Sequence, residues 1–310
     1  MISAIVSCDP RRLVTPPPLL LLVMAAALLP STAFGQTILG ATRCLPGVHA
    51  DEAEGAIAFP DDAIFCPLLA DPKQPRSFLS LLRGSVESAV DDVDEEVTIG
   101  AIGIGDRIGL LRSGGIDGVQ LDLEAAVFAQ FDLGVATLDL INADYLVALP
   151  ITLRRGGFST RLRLYHQSSH LGDEFLLRAE DPERENLSFE SLELILSQEA
   201  GPLRVYAGGE VLFNREPEDL ASRVAHAGIE LRSAGALRMV GGLDMKSSEE
   251  QDWKPAWSGR LGLEFSGAGA AGHPSRIWSI LAEAYSGPTP YGQFFREKMQ
   301  YFGVGLHLTP

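Results

Sequence analysis

Cysteine is scarce in this chain, three residues in 310, which excludes a small disulfide-stapled scaffold and any cysteine-rich zinc module. Basic residues are outnumbered, 25 Lys and Arg against 41 Asp and Glu, for a formal net charge of −16. Attraction to nucleic-acid phosphates needs clustered cations, so nucleic acid is excluded as a default partner. Aromatics are sparse at 7%. Beyond residue 35 no run of about 18 consecutive apolar residues occurs, so no membrane-spanning helix is expected. Glycine is abundant, with 32 residues, in a chain that is 46% hydrophobic. A chain of this length and make-up can build one large all-β domain.

The first 35 residues read as an export address. Arg11 and Arg12 precede an apolar run from Leu19 to Leu29, Pro30 ends it, and the small residues Ala33 and Gly35 lead up to Gln36. A charged start, a short apolar middle and a small-residue exit describe a signal peptide over 1–35. About 11 apolar residues fall short of the roughly 20 that a bilayer requires. The exported chain keeps Cys44 and Cys66, which an oxidising compartment allows to pair. Residues 36–76 form an irregular, proline-containing segment, expected as a periplasmic strap or a plug.

From residue 77 to 310 apolar and polar residues alternate with a period of two. Val119, Leu121, Leu123, Ala125, Val127, Ala129 and Phe131 share one face, and Gln120, Asp122, Glu124, Ala126, Phe128, Gln130 and Asp132 lie on the other. Successive side chains of a strand point to opposite faces, so this is a strand wetted on one side only. Twelve such segments are expected, near 77–84, 97–112, 119–132, 144–155, 158–170, 189–199, 203–214, 222–233, 237–248, 256–267, 276–287 and 293–309. Tight connections at 155–157, 199–202 and 233–236 alternate with longer polar loops at 171–188, 215–221 and 247–255. Short turns at one end and long loops at the other are the pattern of an outer-membrane barrel. A soluble sandwich shows the same alternation, but large aromatics should fill its core, whereas here Arg, Glu, Asp and Lys occupy mid-strand positions. The expected fold is therefore an all-β transmembrane antiparallel barrel of about 12 strands. Arg161, Arg163, Arg204, Glu193, Glu210, Glu230 and Arg232 are expected as lumen ion pairs, with His226 and His307 also facing the lumen. Gly103, Gly105 and Gly109 read as strand glycines, because no helix pattern follows them as a dinucleotide loop requires.

One segment holds candidate chemistry. Phe158, Thr160, Leu162 and Leu164 set a lipid-facing parity that continues through His166, Ser168 and His170 near the outer end of the strand. Serine becomes a nucleophile when a neighbouring base takes its proton, and His is the usual base. The competing reading sets these polar residues among head groups, where they cost little.

Arg161-Leu-Arg-Leu-Tyr-His-Gln-Ser-Ser-His-Leu-Gly-Asp-Glu-Phe175, the upstream Leu68-Leu-Ala-Asp-Pro-Lys-Gln-Pro-Arg76 and the closing Tyr301-Phe-Gly-Val-Gly305 resemble the bacterial family called domain of unknown function 1207. That resemblance implies an outer-membrane barrel and supplies no activity. His166-Gln167-Ser168 is locally similar to the His-Gln-Ser of outer membrane phospholipase A and to the His-x-Ser of lipid A deacylases. This likeness implies Ser168 as nucleophile, His166 as base and a third partner on the next strand. Here Ser169 follows the serine where the phospholipase has Asn, so the partner must be sought afresh. Pairing Leu162 with Leu196 brings Ser168 opposite Glu190; a two-residue slip brings His166 opposite it instead. Glu190 is the candidate orienting group, with an ordinary head-group carboxylate as the alternative, and Asn186 is the reserve. The phospholipase resemblance also implies calcium, for which Asp173 and Glu174 are the nearby carboxylates.

Two functional classes result. One is a non-enzymatic barrel: a narrow pore, a scaffold or a lipid-binding protein. The other is a lipid acyl-ester hydrolase of the outer leaflet. The partners expected in either case are outer-membrane lipids or lipopolysaccharide and the barrel-assembly machinery, in the outer membrane of a Gram-negative cell.

Overall fold

The computed structural model describes residues 55–87, 94–178, 186–235, 237–266 and 277–309. The expected signal peptide and Cys44 lie outside the described residues. Cys66 is disulfide-bonded.

The first short strand, β1, is Ala56–Ala58. Twelve long strands follow: β2 Ser77–Glu87, β3 Asp94–Ser113, β4 Val119–Asp132, β5 Leu140–Arg155, β6 Phe158–Leu171 and β7 Leu187–Ala200, then β8 Leu203–Glu216, β9 Arg223–Arg232, β10 Leu237–Ser248, β11 Pro255–Ser266, β12 Ile277–Pro288 and β13 Lys298–Thr309. Each of the twelve pairs antiparallel with its chain neighbours, and β13 pairs back onto β2. The sheet is therefore a closed 12-stranded barrel with no free edge, the arrangement that satisfies every ladder hydrogen bond in lipid. All twelve strands fall where the alternation puts them. The differences are at the ends. β5 starts at Leu140, four residues early, paired to Phe131 across a register shift. β13 starts at Lys298, because Gly292–Phe294 turns into a short 3-10 helix whose Gly292 amide reaches the Asp144 carboxylate at 3.2 Å. The 171–188 connection contains a one-and-a-half-turn helix, α1, Asp173–Arg178.

At one end the hairpins are tight. Gly156 at φ +57° and Gly201 at φ +58° take left-handed conformations that admit glycine without strain. Among the described residues the opposite end carries α1, both 3-10 turns and the longer loops.

The alternation sorts side chains by burial. Along β6 the residues Arg161, Arg163 and Tyr165 are buried, while Leu162, Leu164 and His166 are exposed on the outer surface. The inside is built mostly from charge. Arg161, Arg163, Glu193, Glu230 and His307 rank with Ile64 and Leu68 among the largest fully buried side chains. Glu193 accepts from Arg161 and Arg163 at 2.8 Å each, and Arg204 Nη1 lies 3.2 Å from Glu230. His226 and His307 face inward, bonded to Asp244 at 2.7 Å and Glu283 at 3.1 Å. One expected ion pair differs: Glu210 takes hydroxyls instead, from Tyr165 and from Ser191 at 2.9 Å.

Residues 59–76 run through the barrel interior. β1 pairs with the tight-turn end of β3, beyond the point where β2 stops, and the chain then enters the lumen. Arg154 donates to the Ile64 carbonyl at 3.0 Å, the Leu69 amide donates to Glu230 at 2.6 Å, and Arg260 donates to the Leu69 carbonyl at 2.9 Å. Near the apex Lys73 pairs with Asp144, and Asp71 meets Lys246 at 3.3 Å. An irregular backbone leaves its amides and carbonyls without ladder partners, so the inward polar side chains of the strands supply them.

Candidate functional site

Register decides what His166 meets. β6 and β7 pair Leu162 with Leu194, the two-residue slip, so His166 lies opposite Glu190 and Ser168 opposite Ser188. His166 Nδ1 is 3.2 Å from Glu190 Oε1, on the outward face, with the two side chains about half and one-third exposed. A proton on Nδ1 held by this carboxylate leaves Nε2 as the basic nitrogen, the orientation that a general base requires.

Ser168 stands on the same face two residues further toward the long-loop end, paired across to Tyr145. Alternate residues on one strand face are about 6.6 Å apart at 3.3 Å rise each. The imidazole therefore reaches Ser168 only by turning along the strand, and here it turns across to β7. Among the described residues no hydrogen bond joins Ser168 to His166. His170 packs edge-on against the Tyr145 ring at 5.8 Å.

The remaining candidates lie apart from this pair. Asn186 donates to Glu216 on β8. Asp173 and Glu174 are exposed in the first turn of α1. Calcium takes six to eight oxygens, whereas among the described residues no group of three or more His, Cys, Asp or Glu side chains is arranged to hold a metal ion. Asp173 and Glu174 therefore supply two carboxylates toward such a site, with no third one grouped with them among the described residues.

A second feature escaped the sequence. Inside the long-loop end lies a cavity of about 200 Å3, with Asp71 and Lys73 of the inserted segment and Glu210, Asp244 and Lys246 of the wall among its lining. Its apolar wall belongs to an interior cluster that includes Leu146, Phe189, Leu212 and Leu220. Burial raises the Asp71 carboxyl, but the charges of Lys246 and His226 and the Lys73 amide outweigh it and hold that carboxyl well below the ordinary carboxylate range. The one sequence trace of this site is the charged run Asp71-Pro-Lys-Gln-Pro-Arg76 in an otherwise irregular segment.

Among solved structures, outer membrane phospholipase A from Escherichia coli is 12% identical, with TM-score 0.49, over 77% of this chain and 93% of that one. The Salmonella typhi outer membrane phospholipase dimer with bound calcium is 12% identical, with TM-score 0.48, over the same shares of each chain. OccK11 of Pseudomonas aeruginosa is 9% identical, with TM-score 0.28, over 75% of this chain and 94% of that one. At TM-scores this low these likenesses carry no argument; the barrel stands on its own closed strand pairing, β13 back onto β2. No curated protein matches the chain. Its sequence over residues 45–309 matches the family described as protein of unknown function (DUF1207), and the chain belongs to that family.

Proposed function

We propose that this chain is an outer-membrane barrel with a closed lumen that serves as a binding scaffold. Export by the 1–35 leader, folding by the barrel-assembly machinery and contact with outer-membrane lipids or lipopolysaccharide belong to the same reading. The observation that carries it is the course of residues 59–76 through the interior as a plug, tied to inward side chains of β5, β9, β10 and β11. A conducting pore needs a continuous water path, and these buried pairs occupy it. Full-chain protein reconstituted in a planar bilayer is expected to give no unitary conductance steps. Regular steps from the unmodified protein would overturn the closed-lumen reading.

A second reading rests on the outward His166–Glu190 contact of 3.2 Å beside Ser168. As a lipid acyl-ester hydrolase, Ser168 Oγ attacks the ester carbonyl while His166 Nε2 takes the hydroxyl proton. The departing lysolipid alcohol then receives that proton, and water repeats the cycle to release the fatty acid. Glu190 orients the imidazole and stabilises its charged form. The scaffold reading expects no fatty acid from a diacyl phospholipid in mixed micelles. Release abolished by Ser168→Ala, with heat-modifiable gel migration unchanged, would establish the hydrolase instead.

A further inference from the structure

The long-loop cavity holds a carboxylate that makes no ion pair among the described residues, Glu210. Most cations around its floor have their own partners. Arg163 is 2.8 Å from Glu193 and 3.6 Å from Glu124, and Lys73 pairs with Asp144. At the rim Lys254 reaches Asp252 at 4.0 Å and Glu250 reaches Arg296 at 3.8 Å. What remains is Lys246 among Asp71, Glu210 and Asp244. Asp71 meets Lys246 at 3.3 Å and has the buried Arg76 guanidinium 3.4 Å from its carbonyl oxygen, and Asp244 is bonded to His226 at 2.7 Å, so among the described residues Glu210 is the carboxylate left without a cation in contact. Tyr165 and Ser191 bring hydrogen bonds to Glu210 and no charge.

Two acceptor atoms are also unspent. Asp71 is fully buried and its Oδ2 has no hydrogen-bond partner among the described residues. Glu210 directs both of its hydrogen bonds through Oε2, so Oε1 accepts none among the described residues. The buried Asp71 acceptor, left without a donor, keeps its desolvation cost, which a donor-bearing ligand recovers. Among the described residues the Glu210 carboxylate has only the Tyr165 and Ser191 hydroxyls as donors and faces an apolar, aromatic wall, which calls for a cationic donor on an organic body. The wall specifies the rest of that molecule. Phe189, Leu212, Tyr291 and Phe295 line the cavity, and aromatic faces attract a cation while accepting an apolar body. The space amounts to roughly seven waters at about 30 Å3 each.

We propose that this cavity binds a small amphiphilic organic cation, a primary ammonium on an aryl or short alkyl body. The ammonium sits beside Glu210 toward Asp71, and the body lies against Phe189, Leu212 and Phe295. The site stands apart from the closed-lumen reading: a conducting barrel with this vestibule would bind the same cation, and a closed one could bind nothing.

Isothermal titration of the full chain in detergent tests it with three isosteric probes: phenethylammonium, phenethyl alcohol and phenylacetate. Phenethylammonium is expected to bind saturably, one per barrel, at least tenfold tighter than the neutral and anionic probes. Glu210→Gln keeps the acceptor for Tyr165 and removes the charge, and it is expected to weaken the ammonium at least tenfold. Phe295→Ala, in the turn capping the cavity, is expected to weaken it several-fold and tests the site should Glu210→Gln fail to show heat-modifiable folding. Equal binding of the alcohol, tighter binding of phenylacetate, or no saturable binding of the ammonium to the unmodified protein overturns the proposal. So does unchanged affinity in a folded Glu210→Gln.

Discussion

At the scale of single residues, strand parity was legible and side-chain direction was not. The sequence assigns Arg161, Arg163, Glu193, Glu230 and Arg232 to the inside, and they are there, because a period of two admits only two faces. Which atom each one meets depends on register and torsion angles that no single strand encodes. Glu210 therefore accepts from Tyr165 and Ser191 rather than from an arginine, and the His166 ring turns to Glu190 rather than along the strand to Ser168. The buried pairs offer a sharp test. Glu193 is held between Arg161 and Arg163, with Arg161 also donating to Gln74 at 3.1 Å. Glu193→Gln leaves two desolvated guanidinium groups short of a counter-charge. Breaking a buried pair from one side costs about 3–5 kcal/mol. A drop of that order in unfolding free energy, followed by urea titration of the heat-modifiable gel shift, is expected. A change below about 1 kcal/mol would show that water reaches this layer and screens it.

At the scale of elements, the strands announce themselves and the inserted segment does not. All twelve strands carry a local signature, alternation of apolar and polar residues between turns and polar loops. Residues 59–76 have no period, and their partners lie tens to hundreds of positions away: Arg154 for Ile64, Glu230 and Arg260 for Leu69, Asp144 for Lys73. No window along the chain holds both halves of such a contact. Part of the complement was visible without its meaning. Gly105 and Gly109 read as strand glycines, and a Cβ at Gly109 would stand 2.2 Å from the Pro60 carbonyl oxygen, so the strand is bare where the segment lies against it. Asp71 makes this element pH-sensitive with a definite sign. Its carboxyl is held below the ordinary value, so its contribution is complete above the unfolded-state value of about 3.9 and is lost as pH falls through and below it. Between pH 8 and 5 this residue should leave the thermal midpoint of the gel shift unchanged. Below about pH 4 the midpoint of the unmodified protein is expected to fall further than that of Asp71→Asn. Parallel acid-side curves for the two proteins would show that Asp71 does not hold the segment in place.

At the scale of the whole molecule, the outer surface has layers, and they fix the depth of the candidate dyad. Toward the long-loop ends, Tyr145, Phe213, Trp257 and Phe302 are exposed outward; toward the tight-turn ends, Phe158, Phe265 and Trp278 are. Between these two aromatic girdles runs an apolar row in which Leu149 pairs with Leu164, Leu164 with Leu192, and Leu192 with Val211. Such girdles mark the two water–lipid boundaries of a transmembrane barrel. Glu190 pairs with Phe213 of the upper girdle and Ser168 with Tyr145, so the His166–Glu190 pair lies at that boundary and Leu164 lies one pleat deeper. The cost of an outward charge depends on depth, from about 2–4 kcal/mol at the midplane to about 0–1 kcal/mol near the boundary. Leu164→Arg should therefore lower the stability of vesicle-reconstituted protein measurably more than His166→Arg, whose guanidinium also keeps Glu190 within reach. The comparison separates two ideas about the dyad. A boundary position sets Ser168 where an ester linkage of a lipid lies, and it equally allows the cluster to be head-group polarity with no chemistry. Equal, large penalties at both positions would bury His166 in hydrocarbon, where neither idea survives, because a polar pair at that depth would have to be covered by a neighbouring protein surface.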